Sequence, residues 1–211
     1  TPTLPGLIHE IFSDNYKIIQ TRFQFKQGDI LLDCGANEGV FSILMAKLFP
    51  QITVVSLEPV SRTFYQMIRN IGLNGVTNIN PINLGVGAKN DTISMVVSNE
   101  YSGGSTACMT YSPETTHIEN VGIVPLDSIL NSYCVDYMGF GRPVRLLKMD
   151  IEGMEYETLY NFNSWDKIEN FVGELHINWR LRHLGYDIVK LSDHIAERTN
   201  LLYYEPCNMA E

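Results

Sequence analysis

One stretch near the N-terminus constrains the fold more than any other: Asp29-Ile-Leu-Leu-Asp-Cys-Gly-Ala-Asn-Glu-Gly39, followed by the apolar-periodic run Val40–Phe49. An apolar strand enters a glycine turn, and a helix with one apolar stripe leaves it. Gly35 allows the backbone to approach a ligand closely, and Gly39 allows the helix to pack closely on the strand. The pattern predicts a strand, a tight turn and a helix beside a ligand crevice.

A carboxylate stands at the end of the second apolar run, Thr53-Val-Val-Ser-Leu57. This residue, Glu58, follows Gly39 by nineteen positions. At the tips of two neighbouring parallel strands, an acidic residue in this position accepts both hydroxyls of a ribose. The sequence therefore predicts a nucleoside-containing ligand, with Glu58 on its ribose.

The residues of the turn distinguish between two ligands of this kind. Asn37 replaces the second glycine of the dinucleotide pattern Gly-x-Gly-x-x-Gly, and Asp33 and Glu38 add negative charge. These carboxylates would repel a pyrophosphate, but would attract the sulfonium and ammonium groups of S-adenosylmethionine. We therefore favour S-adenosylmethionine. The alternatives are a nicotinamide-dependent dehydrogenase and an ordinary strand–turn–helix connection that binds no ligand.

Composition describes one globular domain of 211 residues, with 45% hydrophobic and 18% charged residues. A net charge of −9 argues against nucleic acid as a partner. No stretch has the length and apolarity of a membrane span, and no signal peptide is evident. The four cysteines are widely spaced, which favours a reducing, cytoplasmic location. Because the sequence begins at Thr1 without Met, a domain of a longer biosynthetic protein is one interpretation.

Strand-like and helix-like runs alternate along the chain, which predicts an α/β fold with a doubly wound, mostly parallel, Rossmann-like sheet of about seven strands and helices on both faces. Residues 1–28 are interpreted as an N-terminal flank or lid, and residues 29–211 as the main domain. The loop Tyr101–Thr106 is of the kind that closes over a substrate. Core strands are expected over 29–34, 53–57, 79–86, 144–149, 171–176 and 201–204, with an edge strand over 92–98. Helices are expected over 37–49, from 61 to 72–75, and over 126–133, 154–160 and 188–195.

A second group of polar residues follows the later strands. Lys148-Met-Asp-Ile-Glu-Gly-Met-Glu155 stands at the end of the fourth core strand, and Glu174-Leu-His176 at the end of the fifth. The carboxyl ends of parallel strands face one crevice, so these carboxylates and the imidazole should converge beside the sulfonium site. Lys148 is interpreted as their charge partner.

These motifs resemble the FkbM family of S-adenosylmethionine-dependent methyltransferases. The glycine-turn stretch is similar to the family's first motif, Glu58-Pro59 to its ribose position and Pro125-Leu-Asp-Ser-Ile-Leu130 to its Leu-Asp block. The stretch Lys148–Glu155 is similar to its Lys-Ile-Asp-Val-Glu-Gly-Ala-Glu signature, with Met154 in place of alanine. The resemblance runs from about Gly28 to His176, and implies the fold of class I methyltransferases.

The resemblance also implies which residues bind the methyl donor. The turn would hold the methionine part, Glu58 the ribose, and the residues that end the third strand the adenine. The implied cofactor-binding residues are Asp33, Gly35, Ala36, Asn37, Glu38, Gly39, Glu58, Pro59, Asn83 and Leu84.

The catalytic hypothesis follows from the chemistry of a hydroxyl acceptor, which must lose a proton during methyl transfer. His176 has the ordinary pKa of a base at neutral pH, and Asp150 or Glu174 would orient its imidazole. A buried structural histidine is the alternative. In a variant, Asp150 and Glu174 bind a Mg²⁺ ion that acidifies the hydroxyl. Glu152 is a further catalytic candidate, although a structural role at the start of the next helix also fits.

The sequence thus predicts an S-adenosylmethionine-dependent O-methyltransferase. Its expected partner is a small-molecule hydroxyl acceptor, such as a sugar, a glycolipid or a secondary metabolite. N- or carboxyl-methylation at the same site, and a catalytically silent domain that binds the methyl donor, are the alternatives.

Overall fold

The computed structural model describes the chain over residues 19, 23–99, 115–135, 139 and 141–209. Most of the flank predicted over residues 1–28 lies outside this range, and so does the predicted closing loop Tyr101–Thr106. Both therefore stay predictions. Within the described ranges, no helix is long and apolar enough to cross a membrane.

The described residues form strands and helices in alternation. The strands are β1 (Ile30–Cys34), β2 (Thr53–Leu57), β3 (Ile79–Ile82), β4 (Gly85–Gly87), β5 (Asp91–Ser98), β6 (Thr116–Pro125), β7 (Val144–Met149), β8 (Asn170–Ile177) and β9 (Asn200–Asn208). The α-helices are α1 (Val40–Leu48), α2 (Ser61–Asn74), α3 (Leu126–Tyr133), α4 (Glu155–Tyr160), α5 (Trp179–His183) and α6 (Ile188–Ala196), and a 3₁₀ turn covers Trp165–Lys167.

Six strands form one parallel sheet in the order β3-β2-β1-β7-β8-β9. The chain moves outward from β1 through β2 to β3, then returns to the other side of β1 and continues through β7, β8 and β9. In such a doubly wound sheet, a crevice opens where the winding direction reverses, here between β1 and β7. The predicted Rossmann-like α/β fold is confirmed.

The remaining strands change one detail of the prediction. β4, β6 and β5 form a separate sheet in that order, with β5 antiparallel to β6. The single strand predicted over Ile79–Val86 is therefore two strands in two sheets. The chain turns away at Asn83, whose side-chain amide donates to the carbonyl oxygens of Glu58 and Pro59 at 2.9 and 3.0 Å. The edge strand predicted over 92–98 exists, but it belongs to the small sheet and not to the central one.

Alternate side chains of β1 enter two separate apolar cores. Ile30 and Leu32 pack on one face of the sheet with residues of α3, α4, α5 and α6. Leu31 packs on the opposite face with Phe41 and Met45 of α1. Burial on both faces explains why the core strands are nearly continuous apolar runs.

The turn after β1 depends on backbone angles that few residues adopt. Gly35 has a φ of +80°, and a Cβ atom there would lie 1.8 Å from the carbonyl oxygen of Asp150. Asn37 and Gly39 also have positive φ, at 51° and 81°. These angles are not helical, so α1 begins at Val40 and not at Asn37 as the sequence predicts. The ends of β1 and β7 thus meet without a side chain between them.

We expect Gly35→Ala to lower the free energy of unfolding by more than about 3 kcal/mol, because the added methyl group overlaps a backbone carbonyl at a strained φ. Gly72→Ala is the matched control, since no atom lies within 4 Å of the position that its Cβ would take. We expect the control to change stability by less than about 1 kcal/mol. Urea denaturation followed by circular dichroism measures both variants, and equal stability for the two would contradict the close approach.

Candidate functional site

A cleft of about 910 Å³, its open mouth included, lies at the carboxyl ends of β1, β2, β7 and β8. This is the crevice position that the doubly wound topology predicts. The strands of the small sheet contribute apolar side chains to the same cleft. Its lining residues are Cys34, Gly35, Asn37, Leu57, Glu58, Pro59, Gly85, Val86, Ile93, Met95, Ile123, Asp150, Ile151, Glu152, Met154 and Glu174.

Glu58 is held rigidly in the wall of this cleft. Its Oε2 accepts from the backbone N–H of Asn37 at 3.0 Å, and its Oε1 from that of Val60 at 2.9 Å. Burial raises the pKa of Glu58 to about 7, although the two N–H donors oppose the shift. Each carboxylate oxygen has a second lone pair for a ligand hydroxyl. The structure thus places Glu58 and the glycine turn together, as the sequence predicts.

The predicted residues of the turn divide into two sets. Gly35 and Asn37 line the cleft, whereas Ala36, Glu38 and Gly39 do not. The side chain of Asn37 accepts from the backbone N–H of Glu38 at 2.8 Å, which stabilises the left-handed conformation of the turn. Within this turn, Gly35 and Asn37 are thus the residues that are exposed to the cleft.

Asp33 lies beneath the turn and does not face the cleft. It is fully buried, and its Oδ2 accepts from the hydroxyl of Ser42 at 2.6 Å, which in turn lies 2.7 Å from the hydroxyl of Ser56. The ammonium group of Lys148 lies 3.3 Å from Asp33 Oδ1 and donates to the carbonyl of Gly35 at 2.9 Å. Asp33 is absent from the cleft lining and its charge is compensated internally by Lys148, so its contact with a ligand stays a prediction.

The expected adenine neighbours occupy a related but different position. Asn83 and Leu84 lie between β3 and β4 and are absent from the cleft lining, which the next two residues, Gly85 and Val86, join. Asn83 instead ties this connection to the segment after β2 through its two hydrogen bonds to backbone carbonyls. A contact of Asn83 or Leu84 with adenine stays a prediction.

The sequence reasoning missed the apolar side of the cleft. Ile93 and Met95 of β5 and Ile123 of β6 line it together with Leu57 and Pro59. Alternating apolar residues in β5 indicated a half-buried strand, but not which surface the strand covers. The pairing of β5 with β6 decides this, and its register joins residues 91–98 to residues 116–123.

His176 is the centre of the second polar group. It is 5% exposed, and its Nδ1 lies 2.9 Å from Oε1 of Glu155, which is fully buried. Glu155 is fixed in turn by the backbone N–H groups of Ile151 and Gly153, at 3.1 and 3.0 Å. This geometry orients the imidazole, and it assigns to Glu155 the orienting role that the sequence gave to Asp150 or Glu174.

Three carboxylates face the other ring nitrogen of His176. Its Nε2 lies 3.8 Å from Asp150 Oδ1, 3.8 Å from Glu152 Oε2 and 3.9 Å from Glu174 Oε2. We call Asp150, Glu152, Glu174 and His176 the acidic cluster. The three carboxylates line the cleft, but His176 does not. The structure thus brings the predicted catalytic residues together, and the carboxylates, but not His176, are exposed to the cleft.

The protonation of His176 differs from the expectation. Burial acts to lower its pKa, but the hydrogen bond to Glu155 and the charges of Glu155, Asp150 and Glu152 outweigh burial and raise the pKa to about 10. The imidazole by itself is therefore charged at neutral pH and has no free lone pair for a proton. The prediction of an ordinary pKa was wrong because the sequence did not show how many carboxylates surround the ring.

The predicted metal pair also separates in the structure. Among the described residues, two sets of three have candidate ligand atoms that all lie within 4.8 Å of one another. One set is Asp150, Glu152 and His176, and the other is Glu174, His176 and Cys207. The thiol of Cys207 donates to Oε2 of Glu174 at 3.2 Å. Asp150 and Glu174 therefore fall into different ligand groups, and nothing in the site favours Mg²⁺ on that pair.

The fold and the cleft define a Rossmann-like α/β protein of the methyltransferase type. The family model of the methyltransferase FkbM domain matches residues 33–187. The chain therefore belongs to the FkbM methyltransferase family, and the resemblance of its motifs is confirmed.

Curated relatives are named as methyltransferases. Methyltransferase 1 of Beauveria bassiana (strain ARSEF 2860) is 28% identical in a match that covers 72% of this chain and 66% of that protein. Methyltransferase sdnD of Sordaria araneosa is 25% identical in a match that covers 86% of this chain and 81% of that protein. The chain thus spans slightly less than two thirds of the length of the first relative.

A chain from the crystal structure of a fibrillarin/Nop5p complex is similar at 13% identity and a TM-score of 0.35. The match covers 70% of this chain and 51% of that one. The assignment of the fold rests on the strand order and on the family match.

We expect Lys148→Met to lower the free energy of unfolding by about 3–5 kcal/mol, because it leaves the buried charge of Asp33 uncompensated. Adding Asp33→Asn should recover part of this loss by removing the unpaired charge. Lys89→Met is the control, since Lys89 pairs with Asp91 at 3.0 Å on the surface and its loss should leave stability nearly unchanged. Urea denaturation of all three variants measures the effects. Equal stability of Lys148→Met and Lys89→Met would contradict a structural role for the buried pair.

Proposed function

We propose that this chain is an S-adenosylmethionine-dependent methyltransferase whose cleft binds the methyl donor and presents an acceptor hydroxyl to it. The observation that carries the proposal is the position of Glu58. Two backbone N–H groups fix its carboxylate at the tip of β2, beside a glycine turn that allows close approach of a ligand. A strand-tip carboxylate in this relation to the turn suits the two hydroxyls of a ribose.

The charges around the cleft support a cationic ligand. Glu58, Asp150, Glu152 and Glu174 belong to the lining, and no Lys or Arg side chain is among the described residues that line it. The charge of Asp33 adds little to this attraction, because the ammonium group of Lys148 compensates it. The remaining carboxylates still favour a sulfonium and an ammonium over the pyrophosphate of a dinucleotide.

The apolar side of the cleft supports the same ligand. Ile93, Met95 and Ile123 face it from the small sheet, close to Gly85 and Val86. Apolar side chains in a cleft of this kind suit a heteroaromatic base such as adenine. When bound, S-adenosylmethionine supplies a methyl group already activated by its sulfonium, so the protein has to align the acceptor and manage its proton.

The acidic cluster supports a neutral acceptor. An acceptor carboxylate would be repelled by Asp150, Glu152 and Glu174, whereas a hydroxyl can donate a hydrogen bond to any of them. Because these carboxylates line the cleft and His176 does not, we assign the first contact with the hydroxyl to Asp150 or Glu174. His176 acts from behind them, as a group that positions and compensates their charge. This favours O-methylation of a small molecule over carboxyl-methylation.

We expect the affinity for S-adenosylhomocysteine to increase between pH 6 and pH 8. Glu58, with a pKa of about 7, loses its proton in this range, and a carboxylate accepts the ribose hydroxyls more strongly than the neutral acid does. In the matched variant Glu58→Gln, the affinity should fall by about tenfold at pH 8, and the increase with pH should disappear.

Isothermal titration calorimetry at pH 6, 7 and 8 measures this effect. The pKa of Glu152 is also raised to about 7 by burial, so the comparison with Glu58→Gln identifies the responsible carboxylate. An unchanged pH dependence in Glu58→Gln would show that Glu58 does not contact the ligand.

We expect transfer of labelled methyl groups from S-adenosylmethionine to a hydroxyl-bearing acceptor within a panel of sugars, phenols, amines and carboxylic acids. Asp150→Asn should reduce kcat on that acceptor by about 10²-fold and leave the affinity for S-adenosylhomocysteine within about threefold. Donor binding without transfer to any acceptor in the panel would favour the silent domain. Transfer to amines or carboxylic acids alone would contradict the proposed hydroxyl preference.

A further inference from the structure

We propose that Asp150, Glu152 and His176 form a binding site for a divalent transition-metal ion of the Mn²⁺ type. This site extends the proposed function, because an ion there would hold the acceptor oxygen beside the methyl donor. The ligand set differs from the Mg²⁺ pair expected from the sequence, since it contains a ring nitrogen and excludes Glu174.

The first support comes from the position of Nε2 of His176. The side chain is 5% exposed, and its other ring nitrogen, Nδ1, contacts Glu155. The nearest carboxylate oxygens are those of Asp150, Glu152 and Glu174, 3.8–3.9 Å away. Nε2 thus faces three carboxylates at distances too long for a hydrogen bond, and a cation bound among these groups would replace the long contacts with coordination bonds.

The distances also suit a shared ion. The candidate ligand atoms of Asp150, Glu152 and His176 all lie within 4.8 Å of one another. Two ligands on one ion with bonds of about 2.1 Å are separated by about 3.0–4.2 Å, depending on the angle between them. The 3.8 Å separations of His176 Nε2 from both carboxylates lie within this range. Small movements of the two carboxylates, which are about a quarter exposed, would complete the site.

The surroundings of His176 match those of a metal ligand. In metal sites, the second ring nitrogen usually binds a carboxylate that fixes the tautomer and the ring orientation. Glu155 lies 2.9 Å from Nδ1 and is itself held by the backbone N–H groups of Ile151 and Gly153. Metal binding releases the proton from the ligating nitrogen. The charged imidazole would therefore lose its Nε2 proton to solvent when the ion binds, keep the Nδ1 proton that it donates to Glu155, and face the ion with Nε2.

The donor set indicates the class of ion. Two carboxylates and one imidazole combine hard oxygen ligands with a nitrogen ligand that suits first-row transition metals better than Mg²⁺. Asp150 and Glu152 line the cleft, which gives an ion a path of entry and leaves positions open toward the acceptor. In the proposed reaction, the ion would bind the acceptor oxygen and lower the pKa of its hydroxyl, and the proton would pass to the carboxylate of Glu174, which also lines the cleft. The oxygen would then take the methyl group from the sulfonium, which leaves as the neutral thioether S-adenosylhomocysteine.

The test is Mn²⁺ binding by the chelator-treated full chain, measured by electron paramagnetic resonance and calorimetry without methyl donor. We expect one bound Mn²⁺ per chain, at least tenfold weaker binding in His176→Gln and in Glu152→Gln, and weaker binding of Mg²⁺ than of Mn²⁺. Glu152→Gln guards against a folding artefact, because Glu152 is partly exposed whereas His176 is buried. Thermal melts report whether each variant is folded.

Glu58→Gln is the control that separates this inference from the proposed function. Glu58 lies in the same cleft but outside the acidic cluster, so the variant should retain Mn²⁺ binding while it loses affinity for S-adenosylhomocysteine. The folded His176→Gln or Glu152→Gln variant should instead lose Mn²⁺ binding and retain affinity for S-adenosylhomocysteine. Absence of Mn²⁺ binding at millimolar concentration, unchanged binding in the folded variants, or tighter binding of Mg²⁺ than of Mn²⁺ would overturn the proposed site, whatever the methyl-donor titrations show.

Discussion

The close approach of the ends of β1 and β7 is the constraint on which the rest of the site depends. It requires a residue without a side chain at Gly35, where a Cβ would overlap the carbonyl oxygen of Asp150. The ammonium of Lys148 then joins the two ends by bonding the Gly35 carbonyl and lying beside Asp33. This contact brings the turn of one motif and the acidic cluster of another, more than a hundred residues later, to a single cleft.

Charge compensation inside this arrangement determines what the cleft can bind. Asp33 is buried and paired with Lys148, so its charge stabilises the turn and is not exposed to the cleft. Glu58 and the carboxylates of the acidic cluster line the cleft and give it a negative wall. The small sheet supplies apolar residues to the same cleft. A cleft lined by both carboxylates and apolar side chains suits a ligand that combines a cationic centre with an aromatic base.

Much of the fold and part of the site could be predicted from the sequence. The strand Thr53–Leu57 and the strand Val144–Met149 have the predicted bounds, because buried parallel strands are short apolar runs with sharp ends. The convergence of His176 with the carboxylates followed from the rule that strand ends share one crevice. The small sheet could not be assigned, since its pairing joins distant residues. The predicted pKa of His176 was wrong because the hydrogen bond and the charge of Glu155 raise it. The orientation of Glu155 depends on backbone N–H groups of the folded chain, which the sequence does not show.

A crystal structure of the chain with S-adenosylhomocysteine would show directly which ligand the cleft binds and how. We expect the nucleoside in the cleft, with both ribose hydroxyls within hydrogen-bonding distance of Glu58, the base beside Ile93 and Met95, and the sulfur directed toward the acidic cluster. A nucleoside bound elsewhere, or a cleft that takes up NAD but not S-adenosylhomocysteine under the same conditions, would contradict this expectation.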